Sequence, residues 1–126
     1  MSDLPSNLLY TEGHSWLRQD DDGLLTLGIT EHGQSLLGDL VFAQLPEVGA
    51  LVEEGGMLAT LESVKSAWDV MAPVALEVVE VNDELATSPE RINEEPYGEG
   101  WIVRCRARGT LPPLMDAKAY QGFIGE

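Results

Sequence analysis

Apolar and polar positions alternate over short stretches along most of the chain, with Gly, Pro or clustered acidic residues between them. That rhythm predicts strands punctuated by turns, as in a small sandwich or barrel. Ser15-Trp16-Leu17-Arg18 and Leu24-Leu25-Thr26-Leu27 flank Asp20-Asp21-Asp22-Gly23, which reads as a β-hairpin with Gly23 at positive φ. Thr30 then N-caps a short helix through Leu37, with Glu31 in its first turn and Gly38 at its C-cap. A helix of about two turns is marginal alone, so packing must hold it.

Further strands are predicted at Leu40 to Leu45, from Val48 into Gly56, and at Met57 to Leu61, Trp68 to Met71 and Val78 to Asn82. Trp101 to Ala107 alternates: Trp101, Val103, Cys105 and Ala107 share one face, Ile102, Arg104 and Arg106 the other. Cys105 is therefore expected inside. Pro112-Pro113 ends the sheet, and Asp116 caps a terminal helix whose Ala119, Tyr120, Phe123 and Ile124 are spaced to close over the barrel. Thr87 to Gly100 predicts a long loop, of the kind that often carries function. Residues 1–7 predict a flexible N-terminal tail ahead of one domain over residues 8–126.

Composition narrows the class. With 126 residues, 44% of them apolar, the chain can bury one ordinary core. Its 22 acidic and 7 basic side chains give a net charge of −15. No basic stripe exists to neutralise phosphates, so nucleic acid and anionic membranes are excluded as partners. A protein with a basic rim would be steered toward this surface. A single cysteine makes no internal disulfide, and no CxxC or Cys/His cluster suggests zinc. Met1-Ser2-Asp3-Leu4-Pro5 lacks the features of a signal peptide, and no segment could span a bilayer. The expected compartment is a reducing cytoplasm.

Leu58 to Pro73 holds the candidate chemistry. Two strand-like arms surround Ser63-Val64-Lys65-Ser66, short enough for a tight turn. The chain has two lysines; Lys118 falls on the terminal helix, and Lys65 falls at the apex, with Glu62 and Asp69 on either side. The ordinary reading is a solvated lysine paired weakly with its neighbours. The sharper reading is an attachment point for a swinging-arm cofactor. That chemistry needs a primary amine at an exposed, stiff turn that a modifying enzyme can grip, and acylation then removes the charge. Tethering raises the cofactor's effective concentration at each active site the carrier visits.

Glu62-Ser63-Val64-Lys65 resembles the lipoylation motif of the glycine cleavage H-protein family. Gly28-Ile29-Thr30-Glu31-His32, Leu37-Gly38-Asp39, Val41-Phe42, Leu45-Pro46-Glu47-Val48-Gly49, Glu80-Val81-Asn82, Ser88-Pro89-Glu90, Ile92-Asn93, Glu95-Pro96-Tyr97, Gly100-Trp101, Asp116-Ala117 and Tyr120 are similar to that family in order and spacing. The resemblance runs from about Leu8 to the last residues. It implies a mainly β fold: a lipoyl-domain barrel-sandwich hybrid with a short helix after the N-terminal hairpin and a C-terminal helix. It further implies lipoate on Lys65, with Glu62, Ser63, Val64, Asp69 and His32 as the residues around the arm.

The implied role is that of a carrier, not an enzyme. The lipoyl arm would accept an aminomethyl group from glycine at glycine decarboxylase (P protein) and present it to the tetrahydrofolate-dependent aminomethyltransferase (T protein). Dihydrolipoyl dehydrogenase (L protein) would reoxidise the arm, and a lipoate-attaching enzyme would load it. Biotin carriers share the fold but are known by Met on both sides of the lysine, where this chain has Val64 and Ser66.

Three positions depart from the family pattern. Ser15 stands where a glutamate usually helps to hold the cationic arm, with Glu12 nearby in sequence as a substitute. A neutral hydroxyl forgoes charge assistance, which roughly halves such a contact. Leu76 replaces a glycine and is expected to be strained if positive φ is required there. Trp68 replaces a small residue and either lines the arm's groove or simply packs. The scaffold also resembles lipoate-binding proteins of sulfur oxidation, which serve a heterodisulfide-reductase-like complex, and an unlipoylated interaction protein on the same fold is a third alternative.

Other residues read as structural. His14 and His32 are distant in sequence and lack a third ligand, so they suggest neither a metal nor an acid–base pair. Cys105 is expected to be buried and inert. Asp20-Asp21-Asp22 lacks the ligand spacing of a calcium loop and reads as a solvated turn. No nucleophile with a base and no glycine-rich phosphate cradle is present.

Overall fold

In the computed structural model, which describes residues 4–125, the strands build two antiparallel sheets. The elements are β1 (Leu9–Tyr10), β2 (Ser15–Gln19), β3 (Leu25–Ile29), α1 (Glu31–Leu37), β4 (Leu40–Gln44), β5 (Leu51–Val52), β6 (Met57–Ser63), β7 (Ala67–Met71), β8 (Leu76–Val81), α2 (Glu84–Thr87), α3 (Arg91–Glu94), β9 (Val103–Ala107) and α4 (Ala117–Phe123). The larger sheet runs β1-β2-β3-β9-β8-β5 and the smaller β4-β6-β7. Between them lies the main core, in which Leu17, Leu27, Ile29, Leu61, Leu76, Val78, Val103 and Cys105 are buried. The expected mainly β fold with a helix after the first hairpin and another at the C-terminal end is the fold observed.

Local chemistry accounts for the elements. Gly23 turns the β2–β3 hairpin at φ 85°. Thr30 caps α1 by accepting from the Gly33 amide, and Gly38 closes it at φ 85°, where a side chain would be strained. Asp116 caps α4 by accepting from the Ala119 amide. Only Leu51 and Val52 form a strand within the expected Val48 to Gly56 stretch, because Gly49 and Gly55 turn the chain on either side.

A second cluster covers the outer face of the larger sheet, built from Leu8, Tyr10, Trp16 and Tyr120 with Leu4, Tyr97, Trp101 and Ile124 against it. Trp16 lies flat on its cross-strand neighbour Gly28, where a Cβ would stand 2.7 Å from the indole. The buried Trp16 Nε1 donates to the Pro96 carbonyl at 2.8 Å. Residues 1–3 of the expected tail lie outside the described residues. Of the remainder, Leu4 packs on this cluster, and the Pro5 carbonyl accepts from the Tyr10 hydroxyl at 2.6 Å.

Several expectations are corrected. The Thr87 to Gly100 segment is not a structureless loop, because it contains α3, whose Ile92 is fully buried in the main core. Burial of such a side chain contributes about 1.5–3 kcal/mol, which is what holds this short helix in place. The alternation at Trp101 begins only at Val103, since Ile102 is fully buried in the main core. On α4, Tyr120 is buried, with Ile124 just past the helix end packed in the same cluster, whereas Ala119 and Phe123 are exposed. Leu76 carries no positive φ; it is a fully buried residue of β8, paired with Val52 and Ala107.

The Asp20-Asp21-Asp22 turn is an ionic corner. Arg104 reaches Asp22 at 2.6 Å, Asp20 at 3.3 Å and Glu80 at 3.4 Å. Burial works to raise the Asp20 pKa, but hydrogen bonds from Thr26 and Arg18 leave it below its ordinary value. Among the described residues, no helix is long and apolar enough to cross a membrane.

Candidate functional site

The β6–β7 hairpin projects Val64, Lys65 and Ser66 at its apex, all three exposed. Its arms are paired through Thr60–Asp69, Leu61–Trp68 and Glu62–Ala67. Leu61 and Val70 bury their side chains in the core, so the finger grows from a fixed base. The buried Ser63 ties the turn. Its hydroxyl accepts from the Ser66 amide at 3.1 Å and the Lys65 amide at 3.3 Å. The Ser63 amide donates to the Ser66 carbonyl at 2.8 Å. A turn bonded this densely presents its lysine at a defined place.

The apex also rests on the corner between α1 and β4. The Val64 amide donates to the Asp39 carbonyl at 3.0 Å. The lysine stem crosses Gly38, where an added Cβ would lie 3.1 Å from Lys65 Cε. Asn93 braces that corner from α3: its Oδ1 accepts from the Leu40 amide, and its Nδ2 donates to the Gly38 carbonyl and to Gln34 Oε1, each at 2.9 Å. Sequence reasoning placed Asn93 in a motif but gave it no task. A carboxamide that offers both a donor and an acceptor was the available signal.

Beside the hairpin's exit arm is a cavity of about 250 Å³ lined by Thr11, Gly13, Ser15, Trp68, Asp69, Met71, Ala72 and Pro73. Asp69 is exposed, and its Oδ1 accepts from Thr60 Oγ1 at 3.0 Å. Ser15 lines the same cavity, so the two positions singled out in the sequence meet in one place. Glu12 lies in a turn, and with Glu54 it lines an adjoining cavity of about 480 Å³ that shares Thr11, Ala72 and Pro73. Glu62 is exposed on the hairpin near the apex.

His14 and His32, distant in sequence, are neighbours in space, with ring centroids 4.9 Å apart. The β2–β3 hairpin returns the chain so that α1 starts beside the turn that precedes β2. Trp68 stands edge-on to His14 at 6.0 Å, which connects the histidine pair to the cavity wall. His14 takes a left-handed conformation at φ 65°, and its Nδ1 is hydrogen-bonded to the Tyr120 hydroxyl at 2.8 Å. Burial, and secondarily the charge of His32, hold its pKa below the ordinary 6.5. Among the described residues, no group of three or more His, Cys, Asp or Glu side chains is placed to hold a metal. Cys105 is fully buried, and burial pushes its thiol up to about 11.

A sequence model of the glycine cleavage H-protein family matches residues 8–126. The glycine cleavage system H protein of Escherichia coli O7:K1 (strain IAI39 / ExPEC) is 52% identical over 126 residues, covering 98% of both chains. That of Cronobacter sakazakii (strain ATCC BAA-894) is 50% identical, again over 98% of both. The crystal structure of a glycine cleavage system H protein from Mycobacterium marinum superposes with a TM-score of 0.90 at 36% identity, covering 98% of this chain and all of that one. By full-length sequence identity, fold and the match of residues 8–126, the chain belongs to the glycine cleavage H-protein family.

Proposed function

We propose that Lys65 carries lipoate as an amide and that the loaded side chain shuttles the aminomethyl group of glycine between the enzymes of the glycine cleavage system. The chain is a carrier component of that system and not itself a catalyst. The observation that supports the site assignment is the exposed amine of Lys65 at the apex of a hairpin bonded to the α1–β4 corner. When attached, the lipoyl group would supply a dithiolane whose S–S bond opens so that one sulfur takes the one-carbon unit and the other becomes a thiol.

The residues fit that group. Nζ is open to acylation, and amide formation removes its charge. Ser63 and Asp39 fix the backbone on either side of the amine, so a loading enzyme meets a preformed turn. Asp69 places a carboxylate at the mouth of the cavity, where a cationic amine at the end of the arm gains a charge-assisted hydrogen bond. Ser15 adds a neutral acceptor, and Trp68 forms the apolar wall. His32 stands next to His14, whose ring meets Trp68 edge-on, so the histidine pair adjoins this wall.

The partners this reading assigns are glycine decarboxylase, aminomethyltransferase, dihydrolipoyl dehydrogenase and a lipoate-attaching enzyme, in the cytoplasm. Intact mass after incubation with lipoate, ATP and a lipoate–protein ligase tests the attachment: one lipoyl group is gained, and Lys65→Arg abolishes the gain. Adding glycine decarboxylase and glycine then yields an aminomethyl adduct. A loaded protein that never gains the adduct would move the assignment toward sulfur transfer.

A further inference from the structure

We infer that Asn93 is a positioning residue for the Lys65 amine, acting through the α1–β4 corner on which the hairpin tip is seated. The inference rests on Lys65 as the attachment point. Gly38, Asp39 and Leu40 form that corner, and both ends of the stretch are bonded by one carboxamide: the Gly38 carbonyl by Nδ2 and the Leu40 amide by Oδ1. Asp39, held between them, accepts the Val64 amide. The stem of Lys65 lies across Gly38, with Nζ 3.7 Å from where a Cβ would stand. Thus the tip's backbone and its reactive side chain both touch a segment that a single remote side chain keeps in register.

The brace is itself anchored. Asn93 follows Ile92, which is fully buried in the main core, and its third bond, to Gln34 Oε1, ties it to α1. Aspartate at this position would keep the acceptor for Leu40 but set a carboxylate oxygen against the Gly38 carbonyl and Gln34 Oε1 where a donor is needed. The corner would then open on the side that carries the lysine, and the amine would lose its fixed approach to an activated carboxyl.

Asn82 supplies the control. It also clamps two carbonyls with its Nδ2, those of Glu99 and Trp101 at 2.8 Å, and none of the hydrogen bonds described for it reaches the hairpin or the corner. The experiment compares wild type, Asn93→Asp, Asn93→Ala and Asn82→Ala in thermal melts, in amide hydrogen exchange at Val64, and in kcat and KM for lipoylation by a lipoate–protein ligase. In both Asn93 variants, Val64 exchange rises and lipoylation kcat/KM falls, each about tenfold. Asn82→Ala lowers the melting temperature without moving either readout. Wild-type exchange and lipoylation in both Asn93 variants, or the same changes in Asn82→Ala, would overturn the inference. If wild type takes no lipoate at all, the attachment assignment fails instead, and Val64 exchange alone decides whether Asn93 seats the tip.

Discussion

His14 and Tyr120, 106 positions apart in the chain, meet in a hydrogen bond of 2.8 Å between Nδ1 and the phenolic oxygen. The same oxygen lies 2.7 Å from Thr30 Oγ1, the cap of α1, so one hydroxyl joins the turn before β2, the first helix and the last. Tyr120→Phe removes both contacts while keeping the ring stacked on Tyr10 at 4.8 Å. The variant will fold and lose about 1–3 kcal/mol, read from denaturant unfolding.

Stability will depend on His14 below neutrality. Its folded pKa is below the unfolded value, chiefly through burial and then through His32, so the unfolded chain binds the proton more tightly. The contribution is complete above the ordinary 6.5 and declines as pH falls from there through the depressed value. Melting temperatures from pH 8 to pH 5 will fall more steeply for wild type than for His14→Asn, in which asparagine tolerates the left-handed backbone.

Asp69→Asn will separate loading from transfer. The amide keeps an acceptor for Thr60 but removes the charge at the cavity mouth. Lipoylation, followed by intact mass, will match wild type, while the rate with glycine decarboxylase and glycine will fall about tenfold. Equal rates in the second assay would remove Asp69 from the proposed arm site.

A net charge of −15 makes docking sensitive to ionic strength. Raising salt from about 0.01 M to about 0.15 M shortens the screening length from roughly 30 Å to roughly 8 Å. Turnover at limiting carrier with each partner enzyme will decline across that range, through the apparent KM rather than kcat.

Cys105 will be silent in the folded protein. Its thiol is fully buried and pushed up to about 11, so little thiolate forms at pH 8 and none is accessible. Iodoacetamide will label it only after denaturant is added, as intact mass will show.

The features legible in the sequence are those set by near neighbours. Thr30, Gly38 and Asp116 announce helix ends because capping acts over three or four positions. Gly23 and the Ser63–Ser66 turn show their hairpins for the same reason. Elements held by distant contacts were hidden: α3 is too short to display a period, and only the burial of Ile92 in the core reveals it. The closeness of His14 and His32 depends on how the β2–β3 hairpin folds back, which neither residue encodes locally. Leu76 looked misplaced against a family pattern, yet its site is an ordinary strand position in the interior. Lys65 is singled out by its isolation in composition and its place at an apex, whereas the seat beneath it involves three separate parts of the chain.

The hook between the hairpin tip and the rest of the fold joins main-chain atoms, the Val64 amide and the Asp39 carbonyl. No side chain at Val64, Lys65 or Ser66 takes part in that bond, so the side chain displayed there can be exchanged without removing it. A cysteine installed at position 65 would be held out at the same point, ready for a synthetic tether of any chosen length. The protein is in this sense a mount whose fitting is interchangeable.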